Sequence, residues 1–162
     1  MTKHMFLAAC IAAAFTTSAS AEVLQERNIP LDLAVDIAKG AIQACAKDHY
    51  NVSAAVVDRA GVLRALMRSD NAGAHTPDAA RRKAYTAASA RTPTSVMAKN
   101  VQENPGAAQL VAIDNFLILG GGVPIKVDNE VIGAIGVGGA PGSNLDEACA
   151  IAGIDQAKDR LK

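Results

Sequence analysis

Tryptophan is absent from the 162 residues, and only 3% of them are aromatic. The ring platforms that stack bases or sugars are therefore scarce, which counts against oligonucleotide and carbohydrate binding. No charge of either sign is in excess, since 16 Lys and Arg face 16 Asp and Glu. The chain thus lacks the electrostatic footprint that draws proteins to nucleic acid or anionic lipid. Beyond the N-terminal region the histidines are His49 and His75 and the cysteines Cys45 and Cys149. With no HExxH and no CxxC, a multi-histidine or thiolate metal cage is excluded. There is no GxSxG and no GxxxxGK[ST], and Gly136-Val137-Gly138-Gly139-Ala140-Pro141 puts proline where a dinucleotide loop needs glycine. Those glycines read as tight turns and close strand approach.

What is present begins with an export signal. Lys3 and His4 precede an apolar run from Met5 to Phe15, and Ala19-Ser20-Ala21 has the A-x-A form of a cleavage site. Residues 1–21 read as a signal peptide, Glu22 starts the mature chain, and the location is periplasmic or secreted. Leu7-Ala8-Ala9-Cys10 also resembles a lipobox, although it leaves a very short apolar region before the cysteine. No run approaches the ~20 residues of a spanning helix, so no stable membrane insertion is expected. Residues 22–162 are read as one domain.

From Pro30 to Lys47, Leu31, Ala34, Val35, Ala38, Ile42 and Cys45 recur at helical spacing. Two strands follow, Val52–Val57 and Val62–Arg68, joined at Asp58-Arg59-Ala60-Gly61, with Leu63, Ala65 and Met67 on one face. A loop then leads to Thr76-Pro77-Asp78, which has the form of an N-cap, a first-turn proline and a first-turn acid. A helix over 77–90 is expected, then another from Thr92-Pro93 to Asn104-Pro105-Gly106. Phe116–Leu119, Val123–Val127 and Glu130–Val137 read as three strands. Asn144 and Glu147 resemble a capping box for a last helix with Leu145, Ala148, Cys149 and Ala152 on one face. This order implies an α+β domain around an antiparallel sheet of about five strands.

Few residues carry chemistry. His75 lies beside a helix start, where a second positive charge is disfavoured and a ring nitrogen is left as a lone-pair donor. His49, at the end of the first helix, reads as a partner of the helix C-terminus. Arg81-Arg82-Lys83 reads as a solvent-facing run and Met67 and Met97 as core fillers. Cys45 and Cys149 are either small core hydrophobes or a disulfide between the first and last helices, both of which must cover the same sheet.

Two segments take the reading further. One runs from Val57-Asp58-Arg59-Ala60-Gly61 through Met67-Arg68-Ser69-Asp70 to Arg82-Lys83-Ala84-Tyr85-Thr86-Ala87. The other runs from Gly121-Gly122-Val123-Pro124-Ile125 through Ile132–Gly139 to Asp146–Gly153. Together they resemble the HbpS/GlcG family of haem-binding and haem-degrading proteins, also seen as the C-terminal domain of the PduO corrinoid adenosyltransferase. The likeness runs from about Leu31 to Gln156. It implies a profilin-like antiparallel sheet flanked by helices, and a homo-oligomer. Gly138-Gly139 departs from the serine-glycine of many relatives.

The function expected is an exported haem-binding protein acting as carrier, sensor or scavenger. Haem, or a related tetrapyrrole, needs an apolar slot, an axial donor and cations for its propionates. His75 is the candidate ligand of the haem iron, chosen for its type and place rather than by the resemblance. Tyr85 and Met67 are reserve ligands, and Arg68 and Arg82 are propionate partners. The alternative is an enzyme or corrinoid-linked accessory protein acting on a small organic molecule, with Asp58, Asp70 and His75 as an acid/base set near one sheet end.

Overall fold

The structure is a computed structural model describing residues 22–162, so the expected signal peptide and Cys10 lie outside the described residues. Four helices and four strands succeed one another as α1 (Leu31–Lys47), β1 (Ser53–Asp58), β2 (Leu63–Arg68), α2 (Thr76–Ala90), α3 (Thr94–Glu103), β3 (Gly122–Val127), β4 (Glu130–Gly138) and α4 (Ser143–Gln156). Short 3-10 helices occupy Pro105–Ala112 and Lys158–Arg160. The sheet has the order β2-β1-β4-β3, every neighbouring pair antiparallel.

The sheet has four strands rather than about five. Phe116–Leu119 runs along α2 instead of pairing with a strand: Arg82 donates to the Phe116 carbonyl, and the Leu117 amide donates to Thr86 Oγ1 at 2.8 Å. The Leu119 amide donates to the Leu117 carbonyl and the Leu119 carbonyl accepts from Thr94 Oγ1, so these backbone groups are spent outside any ladder.

Side chains alternate between the two faces of the sheet. Ala54, Val56, Ile135 and Val137 point into a core closed by α1 and α4, which contribute Leu33, Ile37, Ala41, Cys45, Cys149 and Ala150. Val57 and Ala134 point the other way, against Ala84, Ala87 and Ala88 of α2. The second face is closed by small residues. A Cβ on Gly136 would overlap the Ala80 carbonyl, and one on Gly122 the Lys83 carbonyl, so α2 lies backbone-close to β3 and β4.

The helical stripes are rotated from the expected ones. Leu31 and Val35 are exposed while Leu33, Ile37 and Ala41 are buried, and α4 turns Asp146, Cys149, Ala150 and Gly153 inward rather than Leu145 and Ala148. The helix crossing explains both rotations: a Cβ on Gly153 would stand 2.6 Å from the Ile37 carbonyl and 2.8 Å from the Ala41 amide, so α1 and α4 meet at their smallest residues. Where they meet, Cys45 and Cys149 form a disulfide with Cα atoms 5.4 Å apart. In β2, Ala65 and Met67 share one face as expected, and it is the face covered by α1. Leu63 is exposed, because the register with β1 shifts between Val56 and Val57. His49 ends α1 in the left-handed conformation (φ 61°), inside a turn closed by Tyr50 N–H to Cys45 and His49 N–H to Ala46.

Candidate functional site

The N-termini of α2 and α4 meet at one end of the sheet, beside the last residue of β4. Thr76 sets the position of α2. Its buried hydroxyl donates to the Gly73 carbonyl at 2.7 Å and therefore accepts from Ser53 Oγ, also at 2.7 Å, which ties the helix start to β1. Thr76 is thus the first residue of α2 rather than its cap, and His75 takes the cap position without a side-chain capping bond. The His75 ring folds over Gly73, where a Cβ would come within 2.8 Å of it. α4 starts from Gly142, also without a side-chain cap. The proposed capping box does not form, because the helix begins before Asn144. Glu147 instead accepts from Ser95 Oγ at 2.8 Å.

Between these helix starts lies a cleft of about 340 Å³ lined by His75, Ala79, Lys83, Leu119, Ser143, Asp146 and the 138–142 loop. Lys83 and Asp146 line its inner end. Lys83 Nζ donates to Asp146 Oδ2 at 2.8 Å and to the Val137 carbonyl at 2.9 Å, and the other Asp146 oxygen accepts the Ala140 amide at 2.9 Å. The two residues are 1% and 4% exposed. One ion pair therefore joins α2, on one face of the sheet, to α4, on the other. It also holds the loop that forms one wall of the cleft.

The reading of Arg81-Arg82-Lys83 as a solvent-facing run is corrected at Lys83, which is buried. A signal for this existed: Ala80, Lys83, Ala84 and Ala87 follow the i, i+3, i+4, i+7 spacing of the inward stripe, and a lysine on that stripe needs a buried acid.

Of the residues proposed from sequence, the cleft holds only His75. Met67 packs against the α1-side core. Tyr85 sits near the opposite end of α2, its ring over Gly61 and edge-to-face with Phe116 at 6.2 Å. Arg68 hydrogen-bonds the Ala72 carbonyl and Arg82 the Phe116 carbonyl, so both guanidinium groups pin loops. Asp58, Asp70 and His75 do not form one set. Asp58 closes the β1–β2 turn at the far end of β1, accepting the Ala60 and Val62 amides at 3.0 and 2.9 Å and Arg64 Nε at 3.3 Å. Asp70 is exposed on the loop before α2 and does not line the cleft. Among the described residues no group of three or more His, Cys, Asp or Glu is arranged to hold a metal ion, and no helix is long and apolar enough to cross a membrane.

An antiparallel sheet sandwiched between α2 and the α1–α4 pair, with a histidine-rimmed cleft where two helices start, defines the class. The family model described as "Haem degrading protein HbpS-like" matches residues 29–155, and the chain belongs to that family. A double mutant of Streptomyces reticuli HbpS is 39% identical and superposes with a TM-score of 0.79 over 90% of this chain and 97% of that one. Protein GlcG of Escherichia coli K12 is 38% identical over 91 residues, which span 56% of this chain and 66% of GlcG, a little under two thirds of that relative. A PduOC:heme complex shares the fold at 22% identity, with a TM-score of 0.71 over 79% of this chain and 94% of that one.

Proposed function

We propose that the protein is an exported haem-binding protein, a carrier, sensor or scavenger, that takes haem at the cleft between α2 and α4. The observation that carries this reading is His75, an exposed imidazole at the rim of a cleft with Ala79, Leu119 and Pro141 in its walls, in a chain of the HbpS-like family. The donor set suits the group in part. His75 would hold the iron through a ring nitrogen, and the first turn of α4, which has no side-chain cap, would offer backbone N–H groups to a propionate. The arginines proposed for that task are engaged elsewhere. Bound haem would supply an iron centre open to exchange of its axial ligands.

At about 340 Å³ the cleft lies at the low end of ligand pockets. A macrocycle seated there would stand partly outside it, which suits a site that gives its ligand up. Titrating haemin into the purified protein is expected to give a saturable Soret band, and His75→Ala to shift or abolish it. Absence of any saturable Soret change overturns the reading. An unchanged band in the variant removes His75 as the ligand.

A second reading, an enzyme acting on a small organic molecule, is favoured by the Lys83–Asp146 pair, a buried amine and carboxylate that line the same cleft. This reading is tested by turnover of a small organic substrate, which Lys83→Met/Asp146→Leu is expected to abolish, and turnover that the double variant leaves unchanged overturns it. We also infer a homo-oligomer from the apolar side chains that β2 and the preceding turn leave in solvent, Val62, Leu63 and Leu66. Light scattering giving the monomer mass at micromolar concentration overturns it.

A further inference from the structure

At the sheet end opposite His75, the turn between β1 and β2, the hairpin between β3 and β4, the end of α2 and the N-terminal segment enclose a groove of about 600 Å³. Each of these four parts of the chain contributes one cation: Arg59, Lys126, Arg91 and Arg27 respectively. Two acids, Asp128 and Glu130, line the same groove.

Two of the cations are already committed. Arg27 Nε donates to Glu130 Oε2 at 2.7 Å and its Nη1 to Asp128 at 3.2 Å, while Arg59 pairs with Glu130 and, at 3.2 Å, with Glu26. Glu130 thus sits between two guanidinium groups. Arg91 and Lys126 have no carboxylate within ion-pair distance among the described residues, although both line the groove and both are exposed.

The backbone at each of these two positions is unusual. Arg91 follows the last residue of α2 in the left-handed conformation, φ 53° and ψ 30°, where glycine is free of strain and a residue with a Cβ is not. Glycine would meet that backbone requirement with less strain, and the residue present is instead a cation on the groove wall. Lys126 stands where the β3–β4 register shifts, between Ile125 and Lys126. Such irregularities re-aim a side chain out of the strand's alternation.

We propose that this groove is a second binding site, distinct from the His75 cleft, and that it takes a small polyanion whose carboxylate or phosphate groups lie between Arg91 and Lys126. Guanidinium and ammonium groups recognise both anion types, the arginine through paired N–H donors and the lysine as a point charge. Arg27 and Arg59, fixed by Glu130 and Asp128, form the wall and set the groove's shape. The net charge of its lining, four cations against two acids, attracts an anion and is sensitive to salt.

The test is calorimetric titration of the purified protein with inorganic pyrophosphate and, separately, with citrate, against sodium chloride of matched ionic strength. Variants are Arg91→Gly, Lys126→Ala and, as a control outside the groove, His75→Ala. Arg91→Gly relieves the left-handed backbone, so it is expected to keep or raise Tm, and lost binding cannot then be assigned to unfolding. The result expected is saturable binding of at least one probe, weakened about tenfold or more by either groove variant and unchanged by His75→Ala. Binding of pyrophosphate alone assigns a phosphorylated ligand, and binding of citrate alone a polycarboxylate. Heats no larger than those of sodium chloride overturn the proposal, as does binding that Arg91→Gly and Lys126→Ala leave unchanged.

Discussion

The two faces of the sheet are closed by different means. On one, α1 and α4 cover Val56, Ile135 and Val137 with Leu33, Ile37 and their neighbours, and a disulfide joins the two helices to each other. On the other, α2 covers Gly136 and Gly122 so closely that no side chain fits between, and its one long inward residue is a lysine paired with an acid from α4. The first face buries aliphatic area and tolerates modest repacking. The second depends on backbone proximity and on a charge that must be matched, so it has little room for change. The cleft opens at the end of the sheet, between the start of α2 on the second face and the start of α4 on the first. This difference explains how a chain so poor in aromatic residues builds a core: alanine and glycine shorten the distance between layers, and van der Waals contact between backbones replaces large side chains.

The sharpest way to break the comparison is to remove the covalent link on the aliphatic face. Cys45 and Cys149 are 104 residues apart, and in the chain-entropy model a loop of that size is worth about 4–5 kcal/mol, an upper figure because native strain and denatured-state structure reduce it. The Cys45→Ala/Cys149→Ala double variant is expected to lower the urea midpoint by a corresponding amount while keeping its fold. Thiol counting on denatured, unreduced protein should find neither cysteine reactive. Two reactive thiols per chain, or a midpoint that does not move, would show that the face holds by packing alone.

Next in size is the ion pair on the other face. Lys83→Met leaves Asp146 buried without its cation and is expected to cost about 3–5 kcal/mol. Lys83→Met/Asp146→Leu removes both charges and is expected to recover much of that loss, since apolar replacements of a buried pair are often neutral or better. Urea unfolding of the two single variants and the double variant measures the coupling. If the losses simply add, the pair is not the clamp between α2 and α4. The double variant also frees the Ala140 amide, so a wall of the cleft is expected to loosen even where stability returns.

Gly136→Ala follows. Its new methyl group meets the Ala80 carbonyl and the Ala84 amide, neither of which moves without shifting the helix, and a cost of about 1–3 kcal/mol is expected. Ala150→Gly on the aliphatic face removes one methyl group from a buried helical position and is the matched control. Thermal unfolding of both variants decides whether the α2 face is the less forgiving one. A Gly136→Ala protein as stable as the parent would mean that α2 can retreat from the sheet.

The element order was legible from the sequence because hydrophobic period and turn chemistry agree along most of the chain. Asp58-Arg59-Ala60-Gly61 reads as a turn and is one, with the Asp58 carboxylate holding two of its amides. Helix rotation was less legible. When most apolar positions are alanine, several stripes fit the same spacing, and closest approach at Gly40, Gly153 and Gly136 decides which one turns inward. Glycine scores as a breaker in a pattern and says nothing there of what it packs against. Of the residues that line the candidate cleft, His75 alone was singled out from the sequence as a candidate ligand. Lys83 and Asp146 are 63 positions apart, and their pairing needs the order of the strands between them. Arg68 and Arg82 looked available because no sequence pattern shows that a backbone carbonyl already occupies a guanidinium group.

The smallest expected effect lies outside both faces, at the sheet end where Arg27 and Arg59 hold Glu130. The hydrogen bond from Arg27 holds the Glu130 carboxyl below its ordinary value of 4.5, outweighing the opposing effect of partial desolvation, with Arg59 adding in the same direction. A carboxyl depressed in the folded state stabilises the fold above its unfolded pKa, and that contribution disappears as pH falls through the folded value. Glu130→Gln should therefore be slightly less stable than the parent at neutral pH, with the difference shrinking below about pH 4.5 and vanishing in stronger acid. The loss should be small, because the groups are solvated and salt screens them. It should also be local. Arg27 is followed by Asn28 and by Ile29, whose side chain is 1% exposed and whose amide donates to the Ile132 carbonyl at 3.0 Å, so loosening Arg27 acts on the strap that seats Ile29 in the aliphatic core. Hydrogen exchange at the Ile29 amide, compared between parent and variant at pH 7 and pH 4, reads this directly. Protection that falls in the variant at pH 7 and by less at the lower pH assigns the carboxylate a role in seating the strap, whereas a difference independent of pH assigns it to the shape of the side chain and leaves the charge without one.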